Sequence, residues 1–101
     1  MKYNKLIRDK MPAIMKKDGK TVKTHVADDK EYYQKLKAKL IEESSEYSRD
    51  ESTEELADVL EVVYALLEFK GVGKAEIELM REKKEGERGA FKERLILDEV
   101  I

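Results

Sequence analysis

The feature that most constrains this chain is a pair of helical segments around residues 36–67 that carries carboxylates where a core requires apolar side chains. Apolar residues recur at helical spacing along the first segment, in the stripe Tyr33, Leu36, Leu40 and Tyr47. Glu43 falls inside that stripe and Glu46 at its edge. A carboxylate on a core face is costly, so the stripe predicts a compensating positive charge.

The second segment shows the same conflict. Its predicted apolar face consists of Leu56, Val59, Leu60, Val63, Leu66 and Leu67. Glu55 and Asp58 lie on the flank of this face. Three other glutamates repeat every seven residues on the opposite side, where solvation is expected: Glu54, Glu61 and Glu68. The connection at residues 48–52 is short and polar, so the two segments are predicted to pack as an antiparallel hairpin.

The spacing of these acids predicts a metal site. Residues three apart on a helix point to one side, so Glu43 with Glu46, and Glu55 with Asp58, form two pairs of oxygen ligands that the hairpin would bring face to face. An all-oxygen site suits Mg²⁺ or Mn²⁺. The chain has no cysteine, no Glu-x-x-His pair and no EF-hand loop, which excludes thiolate, di-iron carboxylate and EF-hand sites. A solvated acidic face is the alternative interpretation.

The remaining pattern predicts a mainly α fold in a single domain over residues 1–101. Helices are expected over residues 12–17, 29–49, 53–70 and 74–85, with Asp28 or Asp29 capping the second and Ser52 or Thr53 the third. Residues 21–27 alternate in polarity and predict a short extended strand. The β-prone patch at 95–97 predicts a second extended segment near 94–100, pairing with 21–27 or covering the helices.

Charge and hydropathy exclude several protein classes. The net charge of −2 and the pI of 5.6 argue against an electrostatic nucleic-acid binder. No apolar run approaches the roughly 20 residues that span a bilayer. The first ten residues lack the apolar core of a secretion signal. These observations predict a cytoplasmic protein without a membrane partner.

The acidic pattern, Glu42-Glu43-x-x-Glu46 followed by Glu55-x-x-Asp58, resembles the all-α nucleoside triphosphate pyrophosphatase superfamily. This MazG-like group includes phosphoribosyl-ATP pyrophosphohydrolase. Flanking motifs resemble its predicted house-cleaning subgroup; they are residues 3–12, Tyr-Asn-Lys-Leu-Ile-Arg-Asp-Lys-Met-Pro, and the runs 81–84 and 88–91. The resemblance implies an all-α bundle whose acids hold Mg²⁺, at Glu43, Glu46, Glu55 and Asp58, with Glu42 as a further ligand. It also implies hydrolysis of a nucleoside triphosphate to the monophosphate and pyrophosphate.

Such a reaction requires cations that bind the phosphates. The candidates are Lys5, Arg8, Lys10, Lys83, Lys84, Arg88 and Arg94. Arg8 and Arg88 are preferred because apolar neighbours could fix them and arginine offers a two-pronged donor, although surface charge is the alternative. Glu43 or Glu46 could orient or deprotonate the attacking water.

We expect a homo-oligomer, a dimer or a tetramer, because one hairpin and one weak helix cannot enclose a nucleotide. The alternative functions are a non-catalytic helical interaction module and a nucleotide-sequestering binder.

Overall fold

The computed structural model describes residues 2–101, and these residues form four α-helices. They are α1, Met11–Lys17; α2, Asp29–Asp50; α3, Thr53–Phe69; and α4, Lys74–Arg88. The prediction of a mainly α fold is therefore confirmed. None of the helices within residues 2–101 is both long enough and apolar enough to cross a membrane.

Local signals explain where the helices begin and end. The Asp28 side chain accepts a hydrogen bond of 2.8 Å from the Glu31 N–H and so caps α2. Glu51 follows α2 in the left-handed conformation, with φ of 58°, and its N–H donates to the Tyr47 carbonyl. After α3, Gly71 takes a φ of 74°, which glycine adopts without steric cost. The predicted ends of α2 and α3 are correct to within one residue.

The helix α4 is longer than the sequence pattern predicts. It continues three residues past the expected end at Glu85 and stops only before Gly89, which has a φ of 82°. Arg81 pairs with Glu78 and Glu85 one turn away on either side, and such pairs stabilise the exposed helix up to the residue before Gly86. A glycine inside a helix costs only about 1 kcal/mol, so it does not by itself end one.

The hairpin of α2 and α3 is the main tertiary contact of the chain. At one end the ring of Tyr33 stacks on Phe69, with centroids 5.2 Å apart. At the other end, residues 51 and 52 alone connect the helices. The start of α2 therefore meets the end of α3, which makes the hairpin antiparallel, as predicted. Leu36 of α2 and Val62 of α3 are its buried apolar residues.

The side of α3 that packs against α2 differs from the prediction. Leu56 and Leu60, assigned to the buried face, are 47% and 48% exposed, whereas Val62 is only 8% exposed. Because α3 has a broad apolar surface, its sequence pattern does not specify which side of the helix faces α2. The observed rotation turns the flank with Glu55 and Asp58 toward the hairpin contact, and both acids are partly buried.

The predicted extended pairing is wrong. Residues 21–27 and 94–100 lie outside the helices, and the described residues contain no β-strand. Leu95, Ile96 and Leu97 are more than three-quarters exposed, so the tail does not cover the helices either. β-propensity mainly reflects packing on a sheet, and a strand needs a neighbour for its backbone hydrogen bonds. Neither segment has such a neighbour among residues 2–101.

Candidate metal centre

Three glutamates of α2 form the centre of the site. One carboxylate oxygen each from Glu42, Glu43 and Glu46 lies within 4.8 Å of the others. Glu43 is only 8% exposed, while Glu42 and Glu46 are partly buried. The helical period explains this geometry, because Glu43 and Glu46 are one turn apart and Glu43 continues the buried line through Leu36. The prediction that Glu43 lies on the core face is confirmed.

Two acids of α3 approach this cluster across the hairpin. The negative charge of Asp58 acts on Glu43, and that of Glu46 acts on Glu55. These cross-hairpin pairs run in opposite directions along the two helices, in agreement with antiparallel packing. Glu55 and Asp58 are partly buried on α3, whereas the three mutually close ligand oxygens all belong to α2.

The pKa values of Glu43 and Glu55 are both raised, which indicates unbalanced negative charge around these two residues. Burial is the main cause that raises the pKa of Glu43, and the adjacent carboxylate of Glu46 adds to it. Burial also raises the pKa of Glu55, followed by the adjacent carboxylate of Asp50. One oxygen of each residue, Oε2, is buried without a hydrogen-bond partner. Buried polar atoms in native proteins are normally paired, so these two oxygens require an explanation.

Glu42 is in the opposite situation because two lysines neutralise it. Burial acts to raise its pKa, but hydrogen bonds from Lys5 and Lys39 outweigh that effect and hold the pKa below its usual value. Lys5 Nζ lies 2.9 Å from Glu42 Oε1. Lys39 Nζ lies 3.3 Å from Glu42 Oε2 and 3.5 Å from Glu43 Oε1. Glu42 therefore stays ionised, and its charge is balanced within the chain.

The donor set is chemically suited to a hard divalent cation. Its ligand atoms are all carboxylate oxygens, which Mg²⁺ and Mn²⁺ prefer, and nitrogen or sulfur ligands are not part of the cluster. A cation between the helices would give the unpaired oxygens of Glu43 and Glu55 a partner and would offset the repulsion among the acids. The residues present thus fit the metal that the sequence predicts.

Of the seven predicted phosphate ligands, two contact the acidic cluster and five do not. Arg8 donates from Nη2 to Asp58 Oδ1 at 2.7 Å, and Lys5 contacts Glu42, so the N-terminal segment reaches the acidic cluster. Lys10 is exposed at the start of α1. The other four are exposed on α4 or beyond it: Lys83, Lys84, Arg88 and Arg94. Within residues 2–101, the side-chain hydrogen bonds and ion pairs of α4 run only to other residues of α4.

The sequence analysis missed two residues of the site. Lys39 lies three and four residues before Glu42 and Glu43, a spacing that predicts ion pairs on a helix and could have revealed it. Asp50 is the neighbour that, after burial, contributes most to raising the pKa of Glu55, and it pairs with Arg49, whose Nε lies 2.9 Å from Asp50 Oδ1. No sequence signal distinguishes Asp50 from the other acids near the turn, because its position depends on how the turn closes.

The outer glutamates lie where the heptad spacing predicts. Glu54, Glu61 and Glu68 are all exposed, which separates them from the acids of the cluster.

The chain as a whole matches no family model, and comparison with curated proteins and with solved structures gave no match. A functional assignment therefore depends on the chain's own residues and on the motif resemblance described above.

Proposed function

We propose that the protein is a Mg²⁺-dependent nucleoside triphosphate pyrophosphohydrolase. The observation that carries this proposal is the buried Glu43 carboxylate, which has an unpaired oxygen and lies among further acids on a two-helix scaffold. Buried carboxylate oxygens are normally hydrogen-bonded, and a bound cation would give the unpaired Oε2 of Glu43 a partner. The motif resemblance supports the same assignment and supplies the reaction class.

The carboxylates would hold the cation, and one of them would also handle the attacking water. Glu42, Glu43, Glu46, Glu55 and Asp58 would hold Mg²⁺, or Mn²⁺ in its place. The ion would supply positive charge to the phosphate oxygens and activate water. Glu43 or its neighbour Glu46, whichever keeps an oxygen that the ion does not engage, would orient the attacking water and take its proton.

The reaction cleaves the bond between the α and β phosphates. The water oxygen bonds to the α-phosphorus, and pyrophosphate leaves with the bridging oxygen, which gives the nucleoside monophosphate. Phosphoryl chemistry of this kind depends mostly on positioning and electrostatic stabilisation. Arg8 lies at the edge of the cluster with 56% of its side chain exposed, so its guanidinium is accessible to a phosphate.

A pyrophosphate-release assay tests the proposal. Purified protein is incubated with Mg²⁺ and a panel of canonical and modified nucleoside triphosphates, and pyrophosphate and monophosphate are quantified against a reaction with EDTA. Equal amounts of the two products, only with the divalent ion, are expected. Release of orthophosphate would show a different cleavage site. Nucleotide-dependent thermal stabilisation without turnover would identify a sequestering binder. If the protein shows neither turnover nor thermal stabilisation with any nucleotide of the panel, the non-catalytic interaction module is favoured.

The second part of the proposal is that two or more copies assemble. The chain has an accessible surface of 9488 Å², whereas a compact monomer of its 11.8 kDa mass exposes about 5,900 Å². Its radius of gyration of 17.9 Å also exceeds the roughly 13 Å of a compact domain of this length. A standard protein interface buries about 1,600 Å² in total, so the excess surface is ample for one. Leu56 and Leu60 provide an exposed apolar strip on α3.

We expect Leu60→Lys to weaken this assembly. A buried lysine would lose hydration at the interface, so the variant should dissociate at concentrations where the parent remains oligomeric. Light scattering after size-exclusion chromatography measures the molar mass. Glu61→Gln is the control, because it changes the charge by the same amount at the neighbouring exposed position. A parent of 11.8 kDa at all concentrations would contradict the assembly.

A further inference from the structure

The N-terminal segment, residues 2–10, is fastened across the helix hairpin by polar contacts. Lys35 of α2 donates from Nζ to the Asn4 carbonyl at 2.7 Å, close to the first contact of the segment with the acids. Lys5 then binds Glu42 of α2, and Arg8 binds Asp58 of α3. Leu6 and Ile7, between these two cations, are partly buried. We call this segment the basic arm; it spans from one helix of the acidic site to the other.

The two cations of the basic arm bind carboxylates that also belong to the candidate metal centre. Lys5 Nζ lies 2.9 Å from Glu42, and Arg8 Nη2 lies 2.7 Å from Asp58. A Mg²⁺ ion holds its oxygen ligands at about 2.0–2.1 Å and needs them in near-octahedral positions. An ammonium or guanidinium group that directs its N–H bonds at the same carboxylates competes with the ion for charge and for oxygen lone pairs. Occupancy by the ion and attachment of the arm therefore oppose each other.

Lys39 differs from the arm cations because the helix itself holds it in place. Its side chain is only 17% exposed and lies within reach of both Glu42 and Glu43. Lys5 and Arg8, by contrast, are half exposed and are carried on a segment without regular secondary structure. Their contacts can be broken without unfolding a helix. The arm is thus the part of the site's positive charge that can be exchanged for another cation.

We propose that the basic arm is a latch on the acidic site, which a divalent cation opens by taking the Glu42 and Asp58 carboxylates from Lys5 and Arg8. The inference deepens the proposed function and rests on its metal site, but not on the hydrolysis reaction. Release frees two cationic side chains at the place where a triphosphate would bind its metal. The latch therefore couples binding of the ion to exposure of the phosphate ligands. An arm that served only as surface packing would not respond to the ion.

Limited proteolysis of the arm tests the latch directly. Trypsin cleaves after lysine and arginine side chains that are free to enter its binding pocket, so cleavage after Lys5 and Arg8 reports whether their ion pairs are broken. The full-length protein is digested with Mg²⁺ alone, without nucleotide, and in NaCl of the same ionic strength. We expect cleavage after Lys5 and Arg8 to become faster when Mg²⁺ binds, while cleavage after the exposed Lys92 in the tail stays the same. Unchanged or slower cleavage after Lys5 and Arg8 in a protein that binds Mg²⁺ would overturn the latch.

Metal affinity supplies a second readout. We expect the double variant Lys5→Gln/Arg8→Gln to bind Mg²⁺ about tenfold more tightly by calorimetry, since the ion no longer displaces two charged hydrogen bonds. Lys20→Gln/Lys23→Gln is the control, because it removes the same charge from exposed residues between α1 and α2. Equal affinities of the two double variants would overturn the competition. Absence of Mg²⁺ binding in the parent would overturn the metal site and the latch together. Opening of the arm without pyrophosphate release would retain the latch and reject the hydrolase.

Discussion

Glu55→Gln is expected to lower Mg²⁺-dependent pyrophosphate release by at least about 100-fold, since loss of a metal ligand should cost no less than loss of the residues that support ligands. The Glu55 carboxylate has a buried, unpaired oxygen beside the cluster, and Glu46 and Asp50 add negative charge around it. The amide of glutamine keeps the shape of the side chain but removes the charge that attracts the ion. Because that charge is repelled by its neighbours, the folded protein should keep or slightly gain thermal stability. Steady-state kinetics and thermal melts by circular dichroism measure the two effects.

Glu54→Gln is the matched control for this variant. It makes the same chemical change one residue earlier, in the same first turn of α3, at an exposed position. The helix dipole acts on both positions, so the comparison isolates the role of the site. We expect full activity and a change in the free energy of unfolding within about 0.5 kcal/mol for Glu54→Gln. Equal loss of activity in both variants would mean that the charge of the helix, and not the cluster, supports the reaction.

Leu36→Ala is expected to lower the free energy of unfolding by about 2–5 kcal/mol, the range for truncating a buried leucine. Leu36 is 1% exposed and is the most buried side chain among the described residues. The hairpin has few other buried apolar groups that could close over the resulting cavity. Small domains are stable by only about 5–15 kcal/mol, so the variant should unfold at a much lower urea concentration. Urea titration followed by circular dichroism gives the midpoint and the slope.

Leu79→Ala provides the comparison for Leu36→Ala. Leu79 lies on α4, where its side chain is 66% exposed, and the same truncation there removes little buried surface. The expected change is within about 0.5 kcal/mol in the isolated chain. Similar midpoints for the two variants would contradict the assignment of Leu36 to the core. A large loss for Leu79→Ala alone would indicate that α4 is buried between copies of the chain.

The candidate site was predicted in part. Features that depend on residues close together in the chain were predicted, and contacts between residues far apart in the chain were not. The position of Glu43 on the buried side of α2 depends only on helical spacing, so the sequence was sufficient to predict it. The contacts of Lys5 with Glu42 and of Arg8 with Asp58 join residues far apart in the chain. The sequence analysis named Lys5, Arg8 and Lys10 as phosphate ligands because the reaction needs cations. The specific pairs depend on how the segment lies across both helices.

Within residues 2–101, the basic run 81–94 makes no hydrogen bond or ion pair with the acids of the cluster. Arg81 is paired with Glu78 and Glu85 of its own helix, and α4 has no extensive contact with α2 or α3. The run can contribute to the acidic site only from a neighbouring copy. Arg88 therefore stays a predicted phosphate ligand whose role depends on the proposed assembly.

The positions of α2 and α3 and the acidic line on α2 could be predicted from the sequence, because capping, glycine stops and the helical period act over one or two turns. Asp28 and Gly71 mark helix ends that the structure retains, whereas α4 continues past its predicted end to Gly89. Tertiary packing alone set which side of α3 is buried, since Val62 competes with Leu56 and Leu60 for that face. It also decided that residues 21–27 and 94–100 form no strands, because a strand is stable only when a second segment completes its hydrogen bonds.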